Sequence, residues 1–145
     1  MISYHHTQGG RTLILLLLCM AAIVAIIGFI VPARPMSFVV PLILLFTAFI
    51  FSKLTIRIDH DTLCASFGPG LIKKEVSVAE IVAAEPIRIR WWYGWGIHLT
   101  PYGWLYNIGG WDAVVIALRS GRKFALGTDD PHGLVAAIRR FASAK

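Results

Sequence analysis

At 145 residues, 57% hydrophobic and formally +6, with a mean hydropathy of +0.68, the chain is too apolar for an ordinary soluble domain and long enough for one small core. Two cysteines exclude a disulfide scaffold. Apolar and charged residues separate along it: positions 1–53 carry no acid and only Arg11, Arg34 and Lys53 among Lys and Arg, whereas positions 54–145 carry all eight acids and eleven bases. That second segment is a globular mixture at +3, too weakly basic for a nucleic-acid-binding stripe.

Positions 1–11 read as an N-terminal tail, with His5-His6 as an isolated flexible pair. Thr12 to Val31 is twenty residues without a charge, ~30 Å as a helix, about the thickness of a bilayer's hydrocarbon core. Met36 to Phe51 is a second uncharged run, extendable to about position 53 because the Lys53 stem can snorkel. Pro32-Ala33-Arg34-Pro35 between them is a turn, so 12–31 and 36–53 predict a two-helix transmembrane hairpin. Two readings compete with it. Val31-Pro32-Ala33 has small residues at signal-peptidase spacing, but the first run exceeds the ~7–15 residues of a signal peptide and a second run follows. The second run, at sixteen residues, falls below the usual ~17–25, which leaves a shallow hairpin that does not fully cross.

Arg11 precedes the hairpin, Lys53, Arg57, Lys73 and Lys74 follow it, and the turn carries Arg34 alone; the positive-inside rule then puts both termini in the cytoplasm. Neither run contains an ionisable Asp, Glu, Lys, Arg or His, so the hairpin reads as an anchor rather than an ion path. Cys19 in the first run and Cys64 in a strand are too differently placed to bridge, in keeping with a reducing compartment.

Beyond position 53 the periodicity changes to two. Leu54 to Asp59 alternates apolar and polar residues, His60-Asp61 turns, and Leu63, Ala65 and Phe67 share a return face. Gly68-Pro69-Gly70 breaks the chain before Leu71 to Val76, and Ser77-Val78-Ala79-Glu80 has the spacing of a capping box on one helical turn. Ile81 to Arg90 is a strand interrupted at Pro86, followed by strands at 96–100, 104–107, 112–118 and 122–127; Val114, Ile116 and Leu118 match Phe124 and Leu126 across a hairpin. Asp130 as N-cap and Pro131 at the first helical position open a helix over 131–144, with Leu134, Ile138 and Phe141 on its apolar stripe. The fold class is α+β, mainly β: a transmembrane helical hairpin, then an antiparallel barrel or sandwich over 54–145 capped by a C-terminal helix.

This order of elements, with Tyr93-Gly94-Trp95-Gly96-Ile97, Gly103-Trp104-Leu105-Tyr106-Asn107, Ala113-Val114 and Gly127-Thr128-Asp129-Asp130-Pro131, resembles the small bacterial membrane proteins that carry a pleckstrin-homology-like (PH-like) domain. The resemblance implies a PH-like barrel of seven or so strands over 54–145 in a multi-pass protein of the bacterial inner membrane, and no common reaction. The basic lipid-phosphate signature of eukaryotic relatives is not matched, since only Arg57, Lys73 and Lys74 lie near its place; phosphoinositide binding is therefore not implied.

All five tryptophans fall between Trp91 and Trp111, with Tyr93, Tyr102 and Tyr106 among them, just after Arg88 and Arg90 on one strand face. One reading makes Arg88, Arg90, Trp91, Trp92, Tyr93 and Trp95 an edge that faces the membrane or a partner, because indoles favour the interface and arginines meet lipid phosphates. The other has the rings filling a small barrel. Trp91, Trp92 and Tyr93 are the better candidates for exposure, since three consecutive side chains cannot face one core. Gly94-Trp95-Gly96 lacks the Lys and Ser/Thr of a phosphate loop. Helix capping explains Asp130, and Asp129 has no His or Cys at metal-ligand spacing. With no nucleophile elbow, HExxH or paired Cys, the expectation is a non-enzymatic, cofactor-free binding or scaffolding module. Its partners are the lipid bilayer, other membrane proteins or a second copy, and not nucleic acid. The alternative is a lipid- or ligand-binding accessory subunit of a membrane enzyme or transporter, with a pocket between the Trp-rich strands and the helix.

Overall fold

The computed structural model describes residues 4–31 and 35–143, with the side chain of Met36 also outside the description. The Pro32-Ala33-Arg34 turn, the cleavage reading at Ala33 and the helix residue at 144 therefore lie outside the described residues. The described residues build two sheets and three α-helices. Sheet A contains β1 (Tyr4–Gly9), β2 (Lys53–Asp59), β3 (Thr62–Phe67) and β4 (Ile72–Ser77) in that order. Sheet B contains β5 (Ile81–Arg88), β6 (Gly96–Thr100), β7 (Gly103–Asn107), β8 (Asp112–Leu118) and β9 (Lys123–Gly127), in the order β5-β8-β9-β7-β6. Helices α1 (Arg11–Ile30) and α2 (Met36–Ile50) lie between β1 and β2, and α3 (Pro131–Ser143) ends the description. The pairing is antiparallel except between β7 and β9, which run parallel. That pair departs from the all-antiparallel expectation: β8 returns beside β5, so β9, hairpinned to β8, meets β7 in the same direction.

Within the expected N-terminal tail, Tyr4–Gly9 form a strand. Tyr4–Gly9 pairs with β2 from Tyr4↔Ile58 to Gly9↔Lys53, so the β domain begins before the helices and is interrupted by them. The reason lies in remote partners: the Tyr4 hydroxyl donates to Asp130 Oδ2 at 3.4 Å, His6 Nε2 meets Asp129 Oδ1, and Gln8 Nε2 donates to the Gly109 carbonyl at 3.0 Å. Burial of the Tyr4 phenol, with the charge of Asp130 beside it, holds its pKa well above the usual 10.0.

The two helices are an insertion into a β-hairpin. Gly10 N–H donates to the Ser52 carbonyl at 3.0 Å, closing the ladder where the chain leaves for α1 and returns from α2. Gly10 is buried, and a Cβ there would meet Ile108 Cγ1 and the Phe51 carbonyl at 2.7 Å. Small residues also set the helix pairing: Ala21 and Ala48 are buried, and a Cβ on Gly28 would lie 2.7 Å from that of Ser37. The outward faces are apolar, from Leu15 to Phe49. Among the described helices α1 alone is long and apolar enough to cross a membrane. Helix α2 stops at Ile50 and Lys53 opens β2, so the extension to 53 does not form; the backbone turns at Phe51-Ser52 to reach the ladder.

Inside the sandwich, Leu54, Ile56 and Ile58 of β2 and Leu63, Ala65 and Phe67 of β3 face Val114, Ile116, Phe124 and Leu126 of sheet B, all buried. The observed hairpin register pairs Val114 with Leu126 and Ile116 with Phe124. Helix α3 seals the β5 side through Leu134, Val135 and Ile138, packing on β5, β8 and the turn Val78–Glu80. That turn is 3-10 and has no side-chain cap, so Ser77 starts it without closing a capping box. Gly133 N–H donates to Asp130 Oδ1 at 3.1 Å, which caps α3. Pro86 sits on the edge strand β5, where a missing N–H breaks no central ladder. Both cysteines are free.

Candidate interaction site

None of the five tryptophans is buried, which overturns the reading in which they fill the core: Trp91 is 72%, Trp92 55% and Trp104 51% exposed. Aliphatic side chains and phenylalanines fill the sandwich instead.

The rim is assembled at one end of sheet B. After β5, Ile89 turns inward and donates its N–H to the Trp111 carbonyl at 2.5 Å, while Arg88 and Arg90 on either side stay exposed. Ile89 buries with Leu105, Ala113 and Ala125 in a small second cluster on the outer face of sheet B. Trp91–Tyr93 then form a 3-10 turn, closed by Tyr93 N–H on the Arg90 carbonyl at 3.0 Å. Tyr93 tucks against that cluster, and Trp91 and Trp92 are left outside. The turn must reverse into β6 within two residues, and Gly94, with φ +68°, supplies the left-handed backbone needed.

The rings are organised in two sets. The Arg90 guanidinium lies 4.9 Å from the Trp92 ring centroid, and Trp92 meets Trp91 and Tyr93 edge-on at 5.9 and 6.1 Å. Trp95 and Trp111 pack at 5.8 Å, with Trp95 Nε1 donating to the Gly110 carbonyl at 3.4 Å. Arg88 is exposed beside them and makes no ion pair among the described residues.

One loop joins this rim to the root of the helices. Residues 108–111 carry Ile108 against Gly10, Gly109 on Gln8, Gly110 on Trp95 and Trp111 on Trp95. Buried Asn107 shapes the loop: its Oδ1 accepts from Ile108 and Gly109 N–H at 2.9 and 3.3 Å, and its Nδ2 donates to the Gly110 carbonyl at 3.4 Å. The turn between β3 and β4 lies at the same end, because Gly68 N–H donates to the Lys53 carbonyl at 2.7 Å; it presents Leu71, 63% exposed. Arg11, Lys53, Leu71, Arg90 and the indoles of Trp91, Trp92, Trp95 and Trp111 thus share one end of the sandwich. Leu71 and Trp111 were not singled out by sequence reasoning, although a lone leucine after Gly-Pro-Gly and a tryptophan after Gly-Gly were the available signals.

Elsewhere, among the described residues, two hollows against α3 hold no tryptophan, so neither matches the expected pocket between the Trp-rich strands and that helix. One is lined by β5 residues from Ile81 to Glu85 and by Ile138, Arg139 and Ala142. Strand β7, with Trp104, instead borders an 800 Å³ groove beside β4, lined by Trp104, Tyr106, Phe124, Lys74, Arg122 and Lys123, with Glu75 and Glu80 on its wall. Asp129 meets His6, and among the described residues no group of three His, Cys, Asp or Glu stands together as a metal site. Comparison with protein-family models, characterised proteins and solved structures returns no match.

Proposed function

We propose that this chain is a membrane-anchored binding module. Helices α1 and α2 enter the inner membrane of a bacterium as a hairpin, both termini stay in the cytoplasm, and the sandwich lies against the inner leaflet. The observation that carries the reading is the shared loop: the aromatic rim and the root of α1 are two sides of residues 108–111, so a bilayer around α1 has Trp95, Trp111 and the Trp91–Tyr93 turn beside it. Indoles and phenols favour that interface, and Arg88, Arg90, Arg11 and Lys53 each gain about 1 kcal/mol near an anionic surface, enough to orient a tethered domain. Because β1 and β2 pair antiparallel on either side of the insertion, the chain leaves and re-enters the sandwich at one point, which suits a hairpin and not a single crossing. At 15 residues α2 spans ~22 Å, so it crosses only with local thinning of the bilayer.

The PH-like assignment is part of the proposal. Two stacked sheets and an amphipathic C-terminal helix favour it; the strand before the helices, the nine strands among the described residues and the parallel β7–β9 pair depart from the expected pattern. The module's work is to hold a partner, another membrane protein or a second copy, at the leaflet, with exposed Trp91 and Trp92 as the contact. Reporter fusions after Lys145 and within the Pro32–Pro35 turn test the anchor. Cytoplasmic activity at the former and external activity at the latter is expected, and an external C-terminus overturns the arrangement. Brominated lipids should quench the tryptophans of the intact chain, and quenching should fall when Trp95 and Trp111 are replaced by Phe; unchanged emission would remove the rim from the interface.

A further inference from the structure

We propose that the groove between β4 and β7 binds a singly charged amphiphilic anion, its flat apolar body on Trp104 and Tyr106 and its carboxylate held by Lys74. Two rows of side chains meet across the groove. Across the inner face of sheet B the register aligns Ala84, Ile116, Phe124, Trp104 and Leu99. Exposure along that row rises from 0% at Ile116 and 4% at Phe124 to 51% at Trp104 and 70% at Leu99. The core face of the sheet therefore runs out from under sheet A and leaves an apolar shelf on β7 and β6.

Across sheet A the matching inner row is His6, Ile56, Ala65 and Lys74. Lys74 follows Ile72 and precedes Val76 on the face of β4 that packs inward, where an aliphatic residue belongs. Its ammonium lies 5.4 Å from the Phe124 ring centroid and, among the described residues, makes no ion pair. His6, at the other end of the row, is matched by Asp129; Lys74 is not matched. A lysine hung over an aromatic shelf without a carboxylate is one half of a salt link.

The groove's size and charge set the ligand class. About 800 Å³ suits a small organic molecule. Glu75 and Lys123 stand on the outer faces of their strands, so Lys74 and Arg122 against Glu80 leave the groove at a net +1, which suits one carboxylate and disfavours a polyphosphate. Burial raises the Tyr106 pKa, keeping its hydroxyl a neutral donor beside the shelf. The groove opens along the flank, toward the Gly103 and Ser120-Gly121 turns and away from the end where Gly10 and Lys53 meet the helices, so its ligand comes from solution rather than from the leaflet. This site does not depend on the rim touching lipid.

The competing role for Lys74 is protection of the edge strand β4 against pairing with another chain. Calorimetric titration of the full chain in zwitterionic nanodiscs with 2-naphthoate separates the two. Saturable 1:1 binding is expected, at least tenfold weaker for the neutral 2-naphthalenemethanol and at least tenfold weaker in Lys74→Met and Trp104→Ala. Lys74→Met, which places an apolar chain on an apolar face, should melt no lower than the parent. Should it not fold, Arg122→Gln in the exposed β8–β9 turn gives a second reading, with binding at least threefold weaker. No saturable 2-naphthoate binding overturns the proposal, as does binding undiminished in the charge-removing variant. Trp104 quenching by phosphatidylglycerol discs without added naphthoate also overturns it, because the ligand would then be a lipid headgroup.

Discussion

Sheets A and B solve the same burial problem with opposite consequences. Sheet A buries Leu54, Ile56, Ile58, Leu63, Ala65 and Phe67 on one face and shows solvent a polar one, with Arg57, Asp59, Lys73 and Glu75 exposed. It is the mount, and the helices leave from between two of its strands. Sheet B buries residues on both faces, Val114, Ile116 and Leu126 inward and Leu105, Ala113 and Ala125 outward, and still carries every tryptophan at its margins. The difference assigns labour: sheet A fixes the domain to the helices, and sheet B displays aromatic surface at the helix end and on the open flank.

If that division holds, the inter-sheet core matters most to stability. Ile58→Ala, at a fully buried position between the sheets, should destabilise the domain by about 2–5 kcal/mol. Leu105→Ala, in the four-residue cluster under the Trp91–Tyr93 turn, should fall at the low end of that range, because a loop can settle into the vacancy where a sheet cannot. Denaturant unfolding in detergent, followed in the far ultraviolet, measures both. A reversed order would make the outer cluster the true core.

The next effect tests whether the rim depends on the junction loop. Asn107→Ala strips two N–H groups of their partner and leaves the Gly110 carbonyl with Trp95 Nε1 alone, about 1–3 kcal/mol, and frees the loop that carries Trp111. The near-ultraviolet dichroism of the Trp95–Trp111 pair should weaken at temperatures where the far-ultraviolet signal is intact. Loss of both signals together would mean that the rim is no separate unit.

Strands β2, β3, β8 and β9 and helix α3 were legible because each carries its own alternation or stripe, and Asp130-Pro131 marks the helix start locally. Strand β1 was not. Its inward residues are Tyr4, His6 and Gln8, polar groups that pass for a tail until Asp130, Asp129 and the Gly109 carbonyl, over a hundred positions on, are brought to them. Exposure of Trp104 was equally hidden, unlike that of Trp91 and Trp92, because period-two reasoning puts Trp104 and Tyr106 on one face without saying how far the opposite sheet extends over it. Arg88, Arg90, Trp91 and Trp92 were picked out by composition, but their nearness to the helices depends on Asn107 and the loop it folds.

A smaller effect reports on β1 as a clamp between sheet A and α3. The folded state holds the Tyr4 phenol protonated above its usual 10.0, so the clamp contributes fully below that pH. As pH rises past 10.0 the unfolded chain ionises and the folded one does not, and stability falls. Tyr4→Phe should flatten this alkaline loss in melting temperature between about pH 9.5 and 11.5, leaving the share due to Tyr106, whose pKa burial also raises. An unchanged slope would detach Tyr4 from the fold's stability.

The smallest effect on the fold is expected where the proposed contact is greatest. Trp91 and Trp92 touch each other, Arg90 and Tyr93, and at 72% and 55% exposure they bury little. Replacing both with Ala should change unfolding by about 0.5 kcal/mol or less, the range of surface substitutions. Trp111→Ala should cost more, because Trp111 packs against Trp95 with the rings tilted and its loop holds Ile89. Two large apolar rings that the sandwich does not need are spare area, which under the proposed function meets a second surface. Cross-linking in native membranes should therefore lose a specific adduct in the double variant while the melting temperature stays put. A large drop in stability would instead return these rings to the fold and leave the rim without its contact.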